Sequence, residues 1–139
     1  MSARLVTFAD GFTSASAPSI AGGVQEDYLI PNNTVGAAIL TMDKTKNLTA
    51  FVEYELIRKT NLSYFKQEGS FIMAYDGTAW LLTEGNFQGH SMINVDGVVD
   101  PKDVQLVLDP STGVLTANSG NIAGTDYEGT FKLDIVRIA

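Results

Sequence analysis

Cysteine is absent from all 139 residues, so a disulfide scaffold, a thiolate zinc site and a cysteine nucleophile are excluded. Histidine occurs once, as His90, which leaves an imidazole metal site without partners. A catalytic His90–Ser91 pair has little behind it. Adjacent residues on an extended chain point opposite ways, and no Gly-x-Ser-x-Gly elbow exists. Basic residues are scarce: 9 Lys and Arg stand against 16 Asp and Glu, a net charge of −7 with a pI near 4.4. Such a surface repels phosphates and argues against nucleic acid as a partner. The nearest thing to a basic patch, Lys44, Lys46, Arg58, Lys59 and Lys66, reads as solvated strand ends and loops. Long apolar runs are missing, and MSARLVTFADGF lacks a basic region followed by an apolar core. Neither a membrane span nor a secretory signal is therefore expected. No Gly-rich phosphate loop leads into a helix, since no segment reads securely as one.

What is present points to strands. The 13 glycines, the low charged fraction of 18% and the Thr, Val and Tyr content favour an all-β fold. A chain this long can bury about 70% of its unfolded surface in one domain. The reading is an antiparallel β-sandwich or β-barrel over residues 24–139. Residues 1–23 precede it as a short strand (Arg4–Phe8) and a Gly/Ser-rich arm anchored by Phe12. That arm reads either as a disordered lead-in or as an arm lying on a neighbouring subunit. Expected strands are Val24–Ile30, Ala37–Met42, Leu48–Thr60, Ser63–Gln67 and Asp103–Asp109, with Thr130–Ile138 closing the chain. Gly69 is expected to break or bulge the strand that contains it. Composition makes Leu48–Thr60 a strand, although its Glu and Leu would tolerate a helix. Asn32, Asn47 and Asn61 fit the glycosylation acceptor pattern and are most simply loop residues.

The chain is organised around Phe71–Leu82. Asp76-Gly77 between two apolar runs predicts a two-residue type I′ turn, with Tyr75 opposite Thr78 and Met73 opposite Trp80. Phe71, Met73, Tyr75, Trp80 and Leu82 then share one face, and Ile72, Ala74, Ala79 and Leu81 the other. Both faces are apolar, so both need a cover: a second sheet, a loop or another subunit. Ile72, Ala74, Ala79 and Leu81, together with Phe12, are the expected oligomer or partner interface. A barrel layer within the chain would also serve. A second hairpin is predicted at Pro110–Gly113, pairing Leu108 with Leu115 and Leu106 with Ala117, one side buried and one mostly wet.

Three groups of residues have the chemistry for a site. Glu53 and Glu55 share a strand face and could act as an acid–base pair if a cleft held them both; a solvated face is the plainer reading. Asp96, Asp100 and Asp103 could offer hard oxygen ligands to calcium, or Asp103 could cap its strand. Tyr54, Tyr64, Trp80 and Tyr127 could stack on sugars, with Trp80 better read as core. No cofactor, metal or catalytic residue is assigned.

Residues 75–80 (YDGTAW), the tail Glu84–Gly89, Gly113–Gly124 (GVLTANSGNIAG) and Thr130–Leu133 resemble small all-β virion proteins of tailed bacteriophages, of the capsid-decoration, head-fibre and tail-fibre kinds. The resemblance covers the C-terminal half and consists of turn-and-strand rhythm. It implies a non-enzymatic protein made in the host cytoplasm and located in the virion. It would bind the major capsid protein as a homo-oligomer, often a trimer, with no nucleic acid or membrane partner. A carbohydrate- or receptor-binding tail-fibre domain is the alternative it leaves open.

Overall fold

Alternating apolar residues through long stretches give strands, because successive side chains point to opposite faces of an extended chain. A computed structural model describes residues 23–139. Its strands are β1 (Val24–Leu29), β2 (Ala37–Thr41), β3 (Thr49–Lys59), β4 (Tyr64–Tyr75), β5 (Trp80–Gly89), β6 (Val104–Leu108), β7 (Val114–Ser119) and β8 (Glu128–Ile138). No helix occurs among the described residues. The expected Arg4–Phe8 strand, the arm and its anchor Phe12 lie outside the described residues.

The strands form two antiparallel sheets, one ordered β1-β8-β3-β4-β5 and the other β2-β7-β6. The all-β sandwich expected from the sequence is thus the observed fold. The facing sides make one core. Val52, Tyr54, Leu56, Phe71, Met73, Phe131, Leu133 and Ile135 come from the large sheet, and Ile39, Leu40, Val104, Leu106, Leu115 and Ala117 from the small one. Burying each large side chain contributes about 1.5–3 kcal/mol. Rings of Tyr54, Phe71 and Phe131 meet at the centre, their centroids 5.3–6.5 Å apart. Consecutive Ile39 and Leu40 are both buried, which alternation alone forbids. A bulge between Ala38 and Thr41 turns both inward.

The β6–β7 hairpin has the predicted register, Leu108 opposite Leu115 and Leu106 opposite Ala117. Gly113 takes φ +75°, and a Cβ there would lie 2.8 Å from Trp80 Nε1. The β4–β5 hairpin corrects its prediction. Tyr75 pairs with Trp80 and Met73 with Leu82, so Asp76–Ala79 is a four-residue loop and not a two-residue turn. The cause is the Asp76 carboxylate, whose Oδ1 accepts from the backbone N–H groups of Thr78 and Ala79, each at 2.8 Å. The slip is two residues, an even number, so every side chain keeps its predicted face.

Ser63–Gln67 and the hairpin prove to be one continuous strand, β4, with a register shift between Gly69 and Phe71. Gly69 is needed there: a Cβ would lie 2.7 Å from the Tyr54 hydroxyl. Thr83–Gly89, which has no apolar alternation, is strand as well and forms the outer half of β5. From β5 the chain crosses to the small sheet. Buried Gln67 fixes that crossing by accepting from the backbone N–H groups of Met92 and Ile93 at 2.7 and 2.8 Å.

Candidate functional site

The outer face of the large sheet divides into bands that follow from pairing register. Val136, Phe51 and Ile72 lie side by side across β8, β3 and β4, and the next row is Ile138, Thr49, Ala74 and Leu81. Phe51 is 39% exposed, Ile72 36%, Leu81 52% and Ile138 46%. These two rows form a contiguous apolar patch at the end of the sheet where the β4–β5 loop lies. Patches of this kind, rimmed by polar groups, mark interaction surfaces. Ile72, Ala74 and Leu81 therefore sit where the alternation put them, on the face away from the core, whereas Ala79 lies in the β4–β5 loop. Ile72 and Leu81 stay partly exposed, whereas Trp80 and Met73, on the opposite face, are fully enclosed.

Towards the other end the same face becomes charged. The next row sets Asp134 beside Glu53, both on the outer face, and the one after it sets Lys132, Glu55 and Glu68 together. Partial burial and the neighbouring Asp134 raise the Glu53 carboxyl above its ordinary range. Glu55 is buried and lies 3.2 Å from Lys66 Nζ. Burial alone would lower the Lys66 ammonium, but Glu55 and Glu68 more than offset this and raise it. Half-buried Glu53 thus lies beside Asp134 and buried Glu55 against Lys66, so the two carboxylates face different partners.

Arg58, grouped above with solvated basic residues, is instead fully buried. The alternation of Val52, Tyr54 and Leu56 continues to position 58 and carries the guanidinium inward. Its five N–H donors meet five acceptors: Tyr127 Oη at 2.9 Å, Pro101 O at 3.1 Å, Asp103 O at 3.2 Å, Asn32 Oδ1 at 2.9 Å and Gly120 O at 2.7 Å. None of these acceptors is a carboxylate, so carbonyl and hydroxyl dipoles solvate the charge. The contacts tie β3 to the segments around residues 32, 101, 120 and 127, and so close the loop end of the sandwich. This is an architectural site, not a polyanion-binding one.

Asp103 is also buried. Its Oδ2 accepts from the N–H groups of Val99 and Asp100, each at 2.9 Å, the capping role weighed against calcium. Burial would raise its carboxyl, but those N–H groups and Lys102 outweigh it and hold the group below the usual range. Among the described residues no three acidic or histidine side chains converge on a metal position. His90 stacks edge-on against Phe65, ring centroids 5.3 Å apart, and its Nδ1 accepts from Lys66 N–H at 3.1 Å.

Of the aromatics considered for sugars, Tyr54 and Trp80 are core and Tyr127 is engaged by Arg58, which leaves Tyr64 exposed. A groove of about 410 Å³ opens near the loop end, walled by Phe65, Pro101 and Ile122 and edged by Ser63, Asp100 and Lys102. Phe51, Val136 and Ile138 are the patch residues that sequence reasoning missed. Their outward parity was legible, but not their adjacency to Ile72 and Leu81.

No known protein family matches the chain, and no curated protein matches it. Among solved structures, the tailspike protein of Acinetobacter phage vB_ApiP_P1 superposes with a TM-score of 0.48 at 14% sequence identity, over 96% of this chain and 26% of that one. The chain thus spans 26% of that protein's length.

Proposed function

We propose that this chain is a non-enzymatic structural protein of a bacteriophage virion, a capsid-decoration protein that self-associates and binds the assembled shell formed by the major capsid protein. The observation that carries the reading is the two-row apolar patch of Phe51, Ile72, Leu81, Val136 and Ile138 on the outer face of the large sheet. An apolar surface on a rigid sheet suits adhesion, because burying it releases free energy without any moving part. The resemblance of residues 75–80 and 113–124 to small virion proteins supports the particle as the setting, with a trimer as the expected oligomer. Co-sedimentation with assembled shells tests the proposal. The wild-type chain should pellet with shells and Leu81→Lys should not. Equal pelleting of both, or of neither, would overturn it.

A second reading, a carbohydrate- or receptor-binding tail-fibre domain, is favoured by the groove of Phe65, Pro101 and Ile122 with its polar edge and by nearby exposed Tyr64. Binding to host cells or glycans that Phe65→Ala abolishes, with no affinity for shells, would select this reading over the first.

A further inference from the structure

We propose that the groove at the loop end binds a short neutral saccharide, its ring lying on Phe65, Pro101 and Ile122 and its hydroxyls meeting Ser63, Asp100 and Lys102. This rests on the second reading and deepens it by naming the class of ligand; the apolar patch takes no part.

The groove is built by the same contacts that close the sandwich. Phe65 lies opposite Arg58 in the β3–β4 register, so the two share the inward face. The segments that give Arg58 its acceptors rise beside that ring. Pro101 O receives Arg58 Nη1 at 3.1 Å. Ile122 is held by Asn32, whose Oδ1 accepts from Ile122 N–H at 2.9 Å and whose Nδ2 donates to Ile122 O at 3.0 Å. Thr60 Oγ1 donates to Ala123 O at 2.9 Å, and the His90 ring braces Phe65 edge-on. Each wall is tied down from behind, so a ligand meets a formed site and little ordering is lost on binding. The volume of about 410 Å³ falls within the range of small-molecule sites, about 300–1,000 Å³.

The rim selects the ligand by charge. Lys102 Nζ lies 3.3 Å from Asp100 Oδ2 and 3.6 Å from Asp103 Oδ1. An ammonium carries three N–H donors, so Lys102 keeps one to offer. Asp100, its side chain 63% exposed, keeps acceptor lone pairs. An anion drawn to Lys102 would meet Asp100, and a cation drawn to Asp100 would meet Lys102. A hydroxyl accepts from the first and donates to the second with no charge of its own. Ser63 adds a group that does both. Below the rim the walls are aromatic and aliphatic, and Pro101 lacks even a backbone N–H. Such a surface matches a ring with C–H groups on its faces and hydroxyls around its edge, which is the form of a pyranose. A purely apolar side chain from a protein partner would cover the rim groups without satisfying them.

Amide NMR of the full chain, titrated with D-glucose, D-galactose and D-mannose, tests the assignment. At least one of these neutral hexoses at millimolar concentration should shift the amides of Ser63, Phe65, Lys102 and Ala123 saturably. It should bind severalfold more tightly than its own uronate, an anion, and its own 2-amino sugar, a cation at neutral pH. Asp100→Asn, a change on the exposed rim, should weaken the neutral hexose severalfold and bring the uronate level with it or ahead. Phe65→Ala should abolish the shifts, and should that variant fail to fold, Asp100→Asn still gives the answer. No shift of these amides by any of the three hexoses would overturn the proposal, and so would a charged analogue that binds as tightly as the neutral one. Host-cell binding separates this from the second reading. If a hexose fills the groove while the protein binds no cells, the site stands and the tail-fibre reading fails. If Phe65→Ala abolishes cell binding while no hexose shifts the amides, that reading stands and the saccharide assignment fails.

Discussion

Arg58→Ala is the substitution that tests how the sandwich is held closed. It removes five charge-assisted hydrogen bonds at 2.7–3.2 Å and empties a site with no exposed area. Some acceptors keep another partner: Asn32 Oδ1 still receives Ile122 N–H, and Gly120 O still receives Asn33 N–H. Losing the charged donor to Pro101 O costs about 1.5–3 kcal/mol, the range for a hydrogen bond to a charged group. Adding the lost charged contacts and the cavity gives a total of about 3–5 kcal/mol, the range for removing one member of a buried charged network. That is a large fraction of the 5–15 kcal/mol or so that stabilises a typical domain. The assay is urea denaturation at neutral pH, where a loss of this size lowers the midpoint by roughly 2 M at an m-value of about 2 kcal/mol/M. Arg58→Met sharpens the test. Buried ion pairs can often be exchanged for apolar residues without loss, since both charges leave together. Here the acceptors are mostly backbone carbonyls that stay behind, so Met should cost nearly as much as Ala. A Met variant as stable as wild type, or an Ala variant within about 1 kcal/mol of it, would refute the account of Arg58.

Two further substitutions examine separate claims. Glu53→Gln should stabilise the protein at pH 7 by about 0.2–1 kcal/mol, the scale of a cross-strand pair. Because the folded carboxyl lies above its unfolded value, its favourable contribution is complete below about pH 4 and is lost as the pH rises through the folded pKa. The variant's advantage in melting temperature should therefore vanish in acid, and an advantage that grows in acid would contradict the assignment. Gly113→Ala forces a Cβ into the left-handed region and to within 2.8 Å of Trp80 Nε1. A loss of at least about 1–2 kcal/mol is expected, with a shift in tryptophan fluorescence that an equivalent change at exposed Gly77 should not produce.

How much of this was legible in the sequence depended on how local each cause was. Pro110 and Gly113 fix their own turn geometry, so the β6–β7 register could be read to the residue. Asp76-Gly77 carried an equally local signal, but the aspartate carboxylate gathered two N–H groups and lengthened the loop. The faces survived only because the slip was even. Thr83–Gly89 escaped notice because it pairs on one side only and has no apolar alternation to betray a strand. Arg58 shows the limit most clearly. Its inward direction follows from Val52, Tyr54 and Leu56, yet its acceptors come from distant segments that no spacing rule connects. The patch is similar: Phe51, Val136 and Ile138 each point outward by parity. Only the placement of β3 between β8 and β4 brings them beside Ile72 and Leu81.

The central claim is that the outer apolar rows are covered when the molecule is at work. Hydroxyl-radical footprinting of the intact protein, purified and then bound to shells, reads this directly at Leu81 and Ile72. Labelling of Leu81, a side chain 52% exposed, that falls severalfold when the purified protein binds shells is the predicted result. Leu81 labelled in both states as heavily as exposed Leu62 would contradict the account.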